Sequence, residues 1–258
     1  MRRPGALALA ALALLAVWLA GGRPAGSEQI ILALSTETVR ITSNFTGTGI
    51  SVFGAIEPDA ATVSRGSVYD VVVVMRGPGE TLVTRRKERF LGIWLNRHSR
   101  TFSDMPSFYS ISSSRPLAQV ATPVQLQRLQ LGPENLDFGP GSDAPDTLAF
   151  REAFTRLQKD AGLYREAPYG VTFPGSTVFQ ASIDVPANVP VGLYRVEVYL
   201  FRDNALLATS NGSISISKSG FEQFTFELSR QNGFVYGIAC VILALFTGWL
   251  AGVLFRKD

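Results

Sequence analysis

Residues 233–255 carry no charged side chain, and Arg256 and Lys257 follow at once. An apolar run of about 20 residues is long enough to cross a bilayer core as a helix. This one segment divides the fold problem in two. Whatever precedes residue 233 must build its own core. The aromatic residues Phe234, Tyr236, Trp249 and Phe255 lie toward the two ends of the run, where interfacial rings are favoured.

The opposite end reads as an export signal. Arg2 and Arg3 precede an apolar run from Ala6 to Ala20, and the small residues Gly21, Gly22, Ala25, Gly26 and Ser27 follow. That order is the pattern of a secretory leader, with cleavage expected between Gly22 and Ser27. An uncleaved anchor is the competing reading, but the apolar run is short for one. The arginine pair lacks the neighbours of a twin-arginine signal. A leader followed by a stop-transfer helix, with Arg256 and Lys257 retained inside, predicts a single-pass inner-membrane protein. Its bulk is then periplasmic and its C-terminus cytoplasmic.

The net charge of +3 has the same origin. Of 24 basic and 21 acidic side chains, the two ends hold Arg2, Arg3, Arg23, Arg256, Lys257 and Asp258, leaving 19 against 20 for the remainder. The basic balance is a targeting signature and gives no support for a nucleic-acid partner. The lone cysteine, Cys240, falls in the terminal apolar run. The exported region therefore has neither an intramolecular disulfide nor a thiolate metal site.

Short apolar runs broken by turn residues fill the region from Gln29 to Ser114. Strands are expected at Ile30–Leu34, Val39–Thr42, Gly49–Ile56, Ser67–Met75, Phe90–Leu95 and Phe108–Ser112. Val71 to Val74 are consecutive, which suits a strand buried on both faces. The pattern then changes. Thr122-Pro123-Val124-Gln125 is a helix start with a capping box. A loop rich in Gly and Pro leads to a second helix over Asp146 to Ala161, where Phe150, Ala153, Phe154, Leu157 and Ala161 recur at helical spacing. Strands resume at Val171. Val178–Val185 alternates, with Val178, Ile183 and Val185 as its apolar set. Tyr194, Val196, Val198 and Leu200 alternate with Arg195, Glu197 and Tyr199, the period of a half-buried sheet. Asp203-Asn204 marks a hairpin, and Phe221–Leu228 is a last expected strand.

These elements predict a mainly β chain: an Ig-like β-sandwich with a helical-hairpin insertion and one C-terminal transmembrane helix. The expected organisation is a signal peptide over 1–26, sandwich over 27–115 and 168–230, helical insertion over 116–167, membrane helix over 231–255 and a cytoplasmic tail over 256–258. Whether the strands flanking the insertion form one sandwich or two is open.

Four groups of residues form a further pattern: Asn44-Phe45-Thr46-Gly47 with Val52-Phe53-Gly54, Gly192-Leu193-Tyr194 leading to Tyr199-Leu200-Phe201, Lys218-Ser219-Gly220-Phe221-Glu222, and Tyr236-Gly237 with Gly248-Trp249. In these the chain resembles a family of uncharacterised alphaproteobacterial transmembrane proteins. The resemblance covers nearly the whole mature chain and carries no catalytic motif. It implies an exported domain with a C-terminal anchor, and, through an association with sulfite-exporter-type permeases, a transporter as partner.

Two constellations stand out as candidate sites. On the apolar helix, Gly233, Gly237, Ala244, Gly248 and Gly252 fall within about 100° of arc at 3.6 residues per turn, with Val241 in the same stripe. A row of small residues lets another helix approach closely. Second, Arg85, Arg86, Lys87, Arg89, Arg97 and Arg100 supply six positive charges against the single negative Glu88. In an extended segment Arg85, Lys87 and Arg89 share one face. Such a patch suits an anion or a lipid headgroup, whereas the plain alternative is a solvated hairpin. His98, the only histidine, lies within it with no second histidine to support catalysis.

The remaining motifs weigh less. Asp137, Asp143 and Asp146 fit no calcium loop, and helix capping explains Asp143 or Asp146 better than a metal. Asn44-Phe45-Thr46 and Asn211-Gly212-Ser213 match glycosylation acceptors but fit ordinary turns. No cofactor, metal or enzymatic activity is expected. The reading is a membrane-anchored accessory protein that associates with an integral membrane partner. The rivals are an adhesion module on a passive tether and, less favoured, a hydrolase using Ser and Asp.

Overall fold

The computed structural model describes residues 28–58, 68–140, 144–218 and 229–254. The expected leader, the last expected strand Phe221–Leu228, the start of the strand expected from Ser67, and the tail from Phe255 lie outside the described residues.

Among the described residues twelve strands form two packed sheets and a separate hairpin. They are β1 (Gln29–Leu34), β2 (Thr38–Ile41), β3 (Gly47–Glu57), β4 (Asp70–Arg76), β5 (Gly79–Phe90), β6 (Ile93–Pro106), β7 (Tyr109–Ser113), β8 (Tyr164–Pro168), β9 (Val171–Thr172), β10 (Val178–Pro186), β11 (Gly192–Arg202) and β12 (Ala205–Lys218). One sheet has the order β1-β3-β10-β9 and the other β2-β12-β11-β4-β7-β8, while β5 and β6 pair only with each other. The chain switches sheets between β1 and β2: β1 runs antiparallel to β3, and β2 runs parallel to β12. Together with the Greek-key order, this makes an Ig-like sandwich. Strands from before and after the insertion pair with one another in both sheets, so the body is one sandwich.

The first core lies between the sheets. Ile50, Val52, Phe179, Ala181 and Ile183 meet Val71, Val73, Met75, Val196, Val198 and Ile214. Phe179 has its register partner in Gly54, and a Cβ on Gly54 would sit 2.2 Å from the Phe179 ring. The glycine makes room for the aromatic ring. In β10 the inward set is Phe179, Ala181, Ile183 and Val185, and Val178 is exposed. The alternation expected there is real, but Val178 belongs to the outer phase.

A second core covers the other face of the six-stranded sheet. Val72, Val74, Ile111, Tyr199 and Phe201 meet Phe102 and Met105 of β6, Leu117, Val120 and Leu131 of the insertion, and Phe150 and Phe154. The insertion contributes α1 (Leu117–Val120), α2 (Pro123–Arg128), a 3-10 turn (Pro133–Asn135) and α3 (Pro145–Asp160). β4 is therefore buried on both faces, as its run of valines predicts. β11 departs from expectation. The face carrying Glu197 and Tyr199 is not solvated but roofed by the insertion, and both residues are buried.

The capping box at α2 forms as read from the sequence: the Gln125 backbone donates to Thr122 Oγ1, and the Thr122 backbone donates to Gln125 Oε1 at 3.0 Å. At α3 the N-cap is Ala144, which has no side-chain cap bond, and Pro145 takes the first turn. The fixed φ of proline preorganises this turn, and the side chains of Asp143 and Asp146, to which capping was assigned, lie outside the described residues. In the α3 pattern Phe150 and Phe154 are buried but Leu157 is exposed. Arg76 ties the insertion to the sheet, donating to the carbonyls of Leu129 at 2.9 Å and Gln130 at 3.2 Å and lying 3.4 Å from Glu197. The Tyr109 hydroxyl completes the clamp, donating to Gln130 O and accepting from Gly132 N, each at 2.9 Å.

Candidate functional site: a basic hairpin arm and an apolar helix

The strand expected over Phe90–Leu95 is instead the end of a hairpin. Leu91 and Gly92 have φ of 48° and 85°, the positive pair of a type I′ turn that matches strand twist. Apolar residues on either side of a turn read as one strand, because turn chemistry at Leu-Gly is weak in sequence. Only the base of this hairpin is held. Leu82, Phe102 and Met105 pack on the second core and Thr84 is buried, whereas no residue from Arg85 to Thr101 is buried.

All six predicted cations lie on this arm. Directly paired residues share a face. Arg85 pairs with Ser99, Lys87 with Asn96 and Arg89 with Trp94. Arg85, Lys87 and Arg89 thus line one face, as their spacing predicts, with Trp94 at its outer end. The other face carries Arg86 opposite His98, Glu88 opposite Leu95 and Phe90 opposite Ile93. A register shift follows Arg86, and Arg97 sits over the Phe90 ring at 5.0 Å. Arg86 also reaches the ring of Phe150 at 5.7 Å, which links the arm to α3.

Sequence reasoning missed the apolar end of this arm. Phe90, Leu91, Ile93, Trp94 and Leu95 are all exposed, Leu91 at 88% and Trp94 at 68%. The signal was available: five large apolar residues within six positions, interrupted by one glycine and flanked by arginines.

His98 has a structural partner. Its Nδ1 lies 3.0 Å from Glu88 Oε1, and Arg86 Nη2 lies 2.9 Å from the same oxygen. Desolvation works to raise the Glu88 carboxyl. The hydrogen bonds and charges of Arg86 and His98 outweigh it and hold the group below the usual carboxylate range. Glu88 therefore neutralises one side of the arm and leaves the Arg85–Lys87–Arg89 face positive.

The other candidate is α4 (Gly233–Leu254), the one helix among the described residues long and apolar enough to cross a membrane. A Cβ added at Gly233, Gly237, Gly248 or Gly252 would meet no atom within 4 Å outside the helix's own neighbouring backbone. The stripe completed by Val241 and Ala244 is thus uncovered among the described residues. Cys240 is exposed on the same helix.

Elsewhere, Asp137 accepts from the Gly139 backbone at 2.8 Å in a local turn, and Asp143 lies outside the described residues. Among the described residues no group of three or more His, Cys, Asp or Glu side chains is placed to hold a metal ion. Asn44 sits in a turn, accepting from Thr42 Oγ1 at 2.7 Å, whereas Asn211 and Gly212 lie inside β12. At Gly212 a Cβ would come within 3.1 Å of Leu34, so this glycine serves close packing and not a turn.

An Ig-like sandwich joined in sequence to one apolar helix of bilayer-spanning length is the architecture of a transmembrane β protein and is consistent with single-pass anchoring. The chain belongs to the family described as "Putative transmembrane protein (Alph_Pro_TM)", whose model matches residues 29–257. No curated protein matches. Two solved structures are similar at low level. The sporulation control protein Spo0M of Bacillus subtilis shares 8% identity at a TM-score of 0.28, over 80% of this chain and 56% of its own. AggA, the major subunit of aggregative adherence fimbriae type I of Escherichia coli, shares 13% identity at a TM-score of 0.28, over 77% of this chain and 99% of its own. The chain thus spans little more than half of the Spo0M chain.

Proposed function

We propose that this protein is a non-catalytic accessory subunit whose membrane helix packs against an integral membrane partner. The observation that carries the reading is the uncovered row Gly233, Gly237, Ala244, Gly248 and Gly252 on a helix that fits a bilayer. Small residues let helix backbones approach closely, and in lipid that contact is what drives association. The leader pattern and the positive tail Arg256-Lys257 support an inner-membrane location with the sandwich in the periplasm and the C-terminus in the cytoplasm. A permease for sulfur oxyanions is the partner class that the family resemblance implies.

Co-purification from native membranes in mild detergent tests the proposal. A stoichiometric integral membrane partner is expected, and Gly248→Leu should release it while leaving the protein membrane-bound. Recovery as a monomer from both the native chain and Gly248→Leu overturns the reading. Exchange of residues 233–254 for an unrelated span separates it from a passive tether, which tolerates the exchange.

A further inference from the structure

We infer that the β5–β6 arm is a membrane-surface probe: its apolar end enters the interface of a bilayer while its cations hold anionic headgroups. This goes beyond the helix-packing proposal and stands or falls separately from it. Three observations carry it. First, Phe90, Leu91, Ile93, Trp94 and Leu95 converge at the far end of an arm whose outer part buries nothing. Exposed large apolar groups gathered in one place mark an interaction site. Second, the cations follow the apolar end as a collar. Arg89 pairs with Trp94, Arg97 covers Phe90, and Lys87 and Arg85 stand progressively farther back on the Trp94 face. Apolar residues at the leading end with basic residues behind match the layering of a membrane interface, where acyl chains lie beneath phosphates. Tryptophan is at home at that boundary.

Third, the topology brings the arm's root and the tether's root to one end of the sandwich. β4 and β12 both run antiparallel to β11, so they run in the same direction. The chain leaves β4 for the arm, and β12 for the span, at the same pole. Only residues 219–228 separate β12 from the residues that lead into α4. A chain anchored this way meets a bilayer at high effective concentration, so a shallow insertion suffices. The charge also selects the occupant. A second copy of the arm would bring the same cations and be repelled, whereas an anionic lipid surface is complementary.

The test uses the full chain with Trp18→Phe and Trp249→Phe, so that Trp94 is the only tryptophan. It is reconstituted in vesicles of phosphatidylcholine with or without phosphatidylglycerol, each with a brominated-lipid counterpart. With phosphatidylglycerol, Trp94 emission should shift to the blue and be quenched by bromine. The combined change Arg85→Glu, Lys87→Glu and Arg89→Glu should reduce the quenching to the phosphatidylcholine level, and an unchanged melting temperature will show that the sandwich is intact. Water-like emission without quenching in both lipids overturns the inference. A blue shift without bromine quenching also overturns it, because the arm is then covered by protein.

Discussion

Tyr194, near the start of β11, donates its hydroxyl hydrogen to the carbonyl of Pro190, four residues upstream, at 2.6 Å. This is a tyrosine corner, the clasp by which Ig-like sandwiches hold the connection between their sheets. Burial pushes the Tyr194 hydroxyl well above its ordinary pKa, so it remains a donor at all physiological pH. Gly192, between the two partners, has φ of 150° and a Cβ there would strike Pro78 at 2.8 Å. The corner therefore also packs against the root of the basic arm.

Removing that hydroxyl should weaken the whole body. Tyr194→Phe keeps the ring but leaves the Pro190 carbonyl without its donor, a loss of about 1–2 kcal/mol. Urea unfolding of the detergent-solubilised chain checks this. An unchanged midpoint would show that the corner is ornamental here.

The Gly54–Phe179 pair makes a sharper case. Gly54→Ala places a methyl group where the Phe179 ring lies, and overpacking of this kind costs about 1–3 kcal/mol. Combining it with Phe179→Leu should recover part of the loss, because the two changes share one space. Additive losses in thermal melts would contradict the assignment.

The six-stranded sheet is shared by both cores, so the insertion should not melt on its own. Phe154 contacts Phe102, Phe138 and Tyr164 with ring centroids 5.6–5.8 Å apart. Phe154→Ala should cost about 3–5 kcal/mol and lower the melting temperature in one cooperative transition. Two separated transitions by far-UV dichroism and tyrosine fluorescence would mean that the layers are independent.

Acid should loosen the insertion through Glu134. Desolvation works to raise its carboxyl, but the Lys159 hydrogen bond, a bond within its own backbone and the charges of Lys159 and Arg151 outweigh it, so the group sits below the usual carboxylate range. The Lys159 Nζ to Glu134 Oε1 distance is 2.8 Å. With a depressed folded value, its contribution is fully present above the unfolded value of about 4.3. It disappears as pH falls through the lower folded value. Glu134→Gln should therefore show a smaller loss of melting temperature between about pH 6 and about pH 3 than the native chain. Parallel curves would refute the linkage.

What sequence alone determined is what depends on near neighbours or on composition. The apolar run that becomes α4 is legible because bilayer thickness sets a length that any window can measure. The capping box at Thr122 and Gln125 closes within four residues. Val71 to Val74 announce burial on both sides, since nothing solvated tolerates such a run. The shared face of Arg85, Lys87 and Arg89 follows from the pleat alone. Tertiary structure decided the rest. Glu197 and Tyr199 look solvated until a helical layer distant in sequence is laid over them. Phe90 to Leu95 look like a core strand because apolarity records a preference for leaving water and not the identity of the cover. Sheet order, the single sandwich and the common pole of arm and tether arise from pairings between residues more than 100 positions apart, such as Val73 with Val198. No local pattern encodes these pairings, because many alternative pairings would satisfy the same alternation.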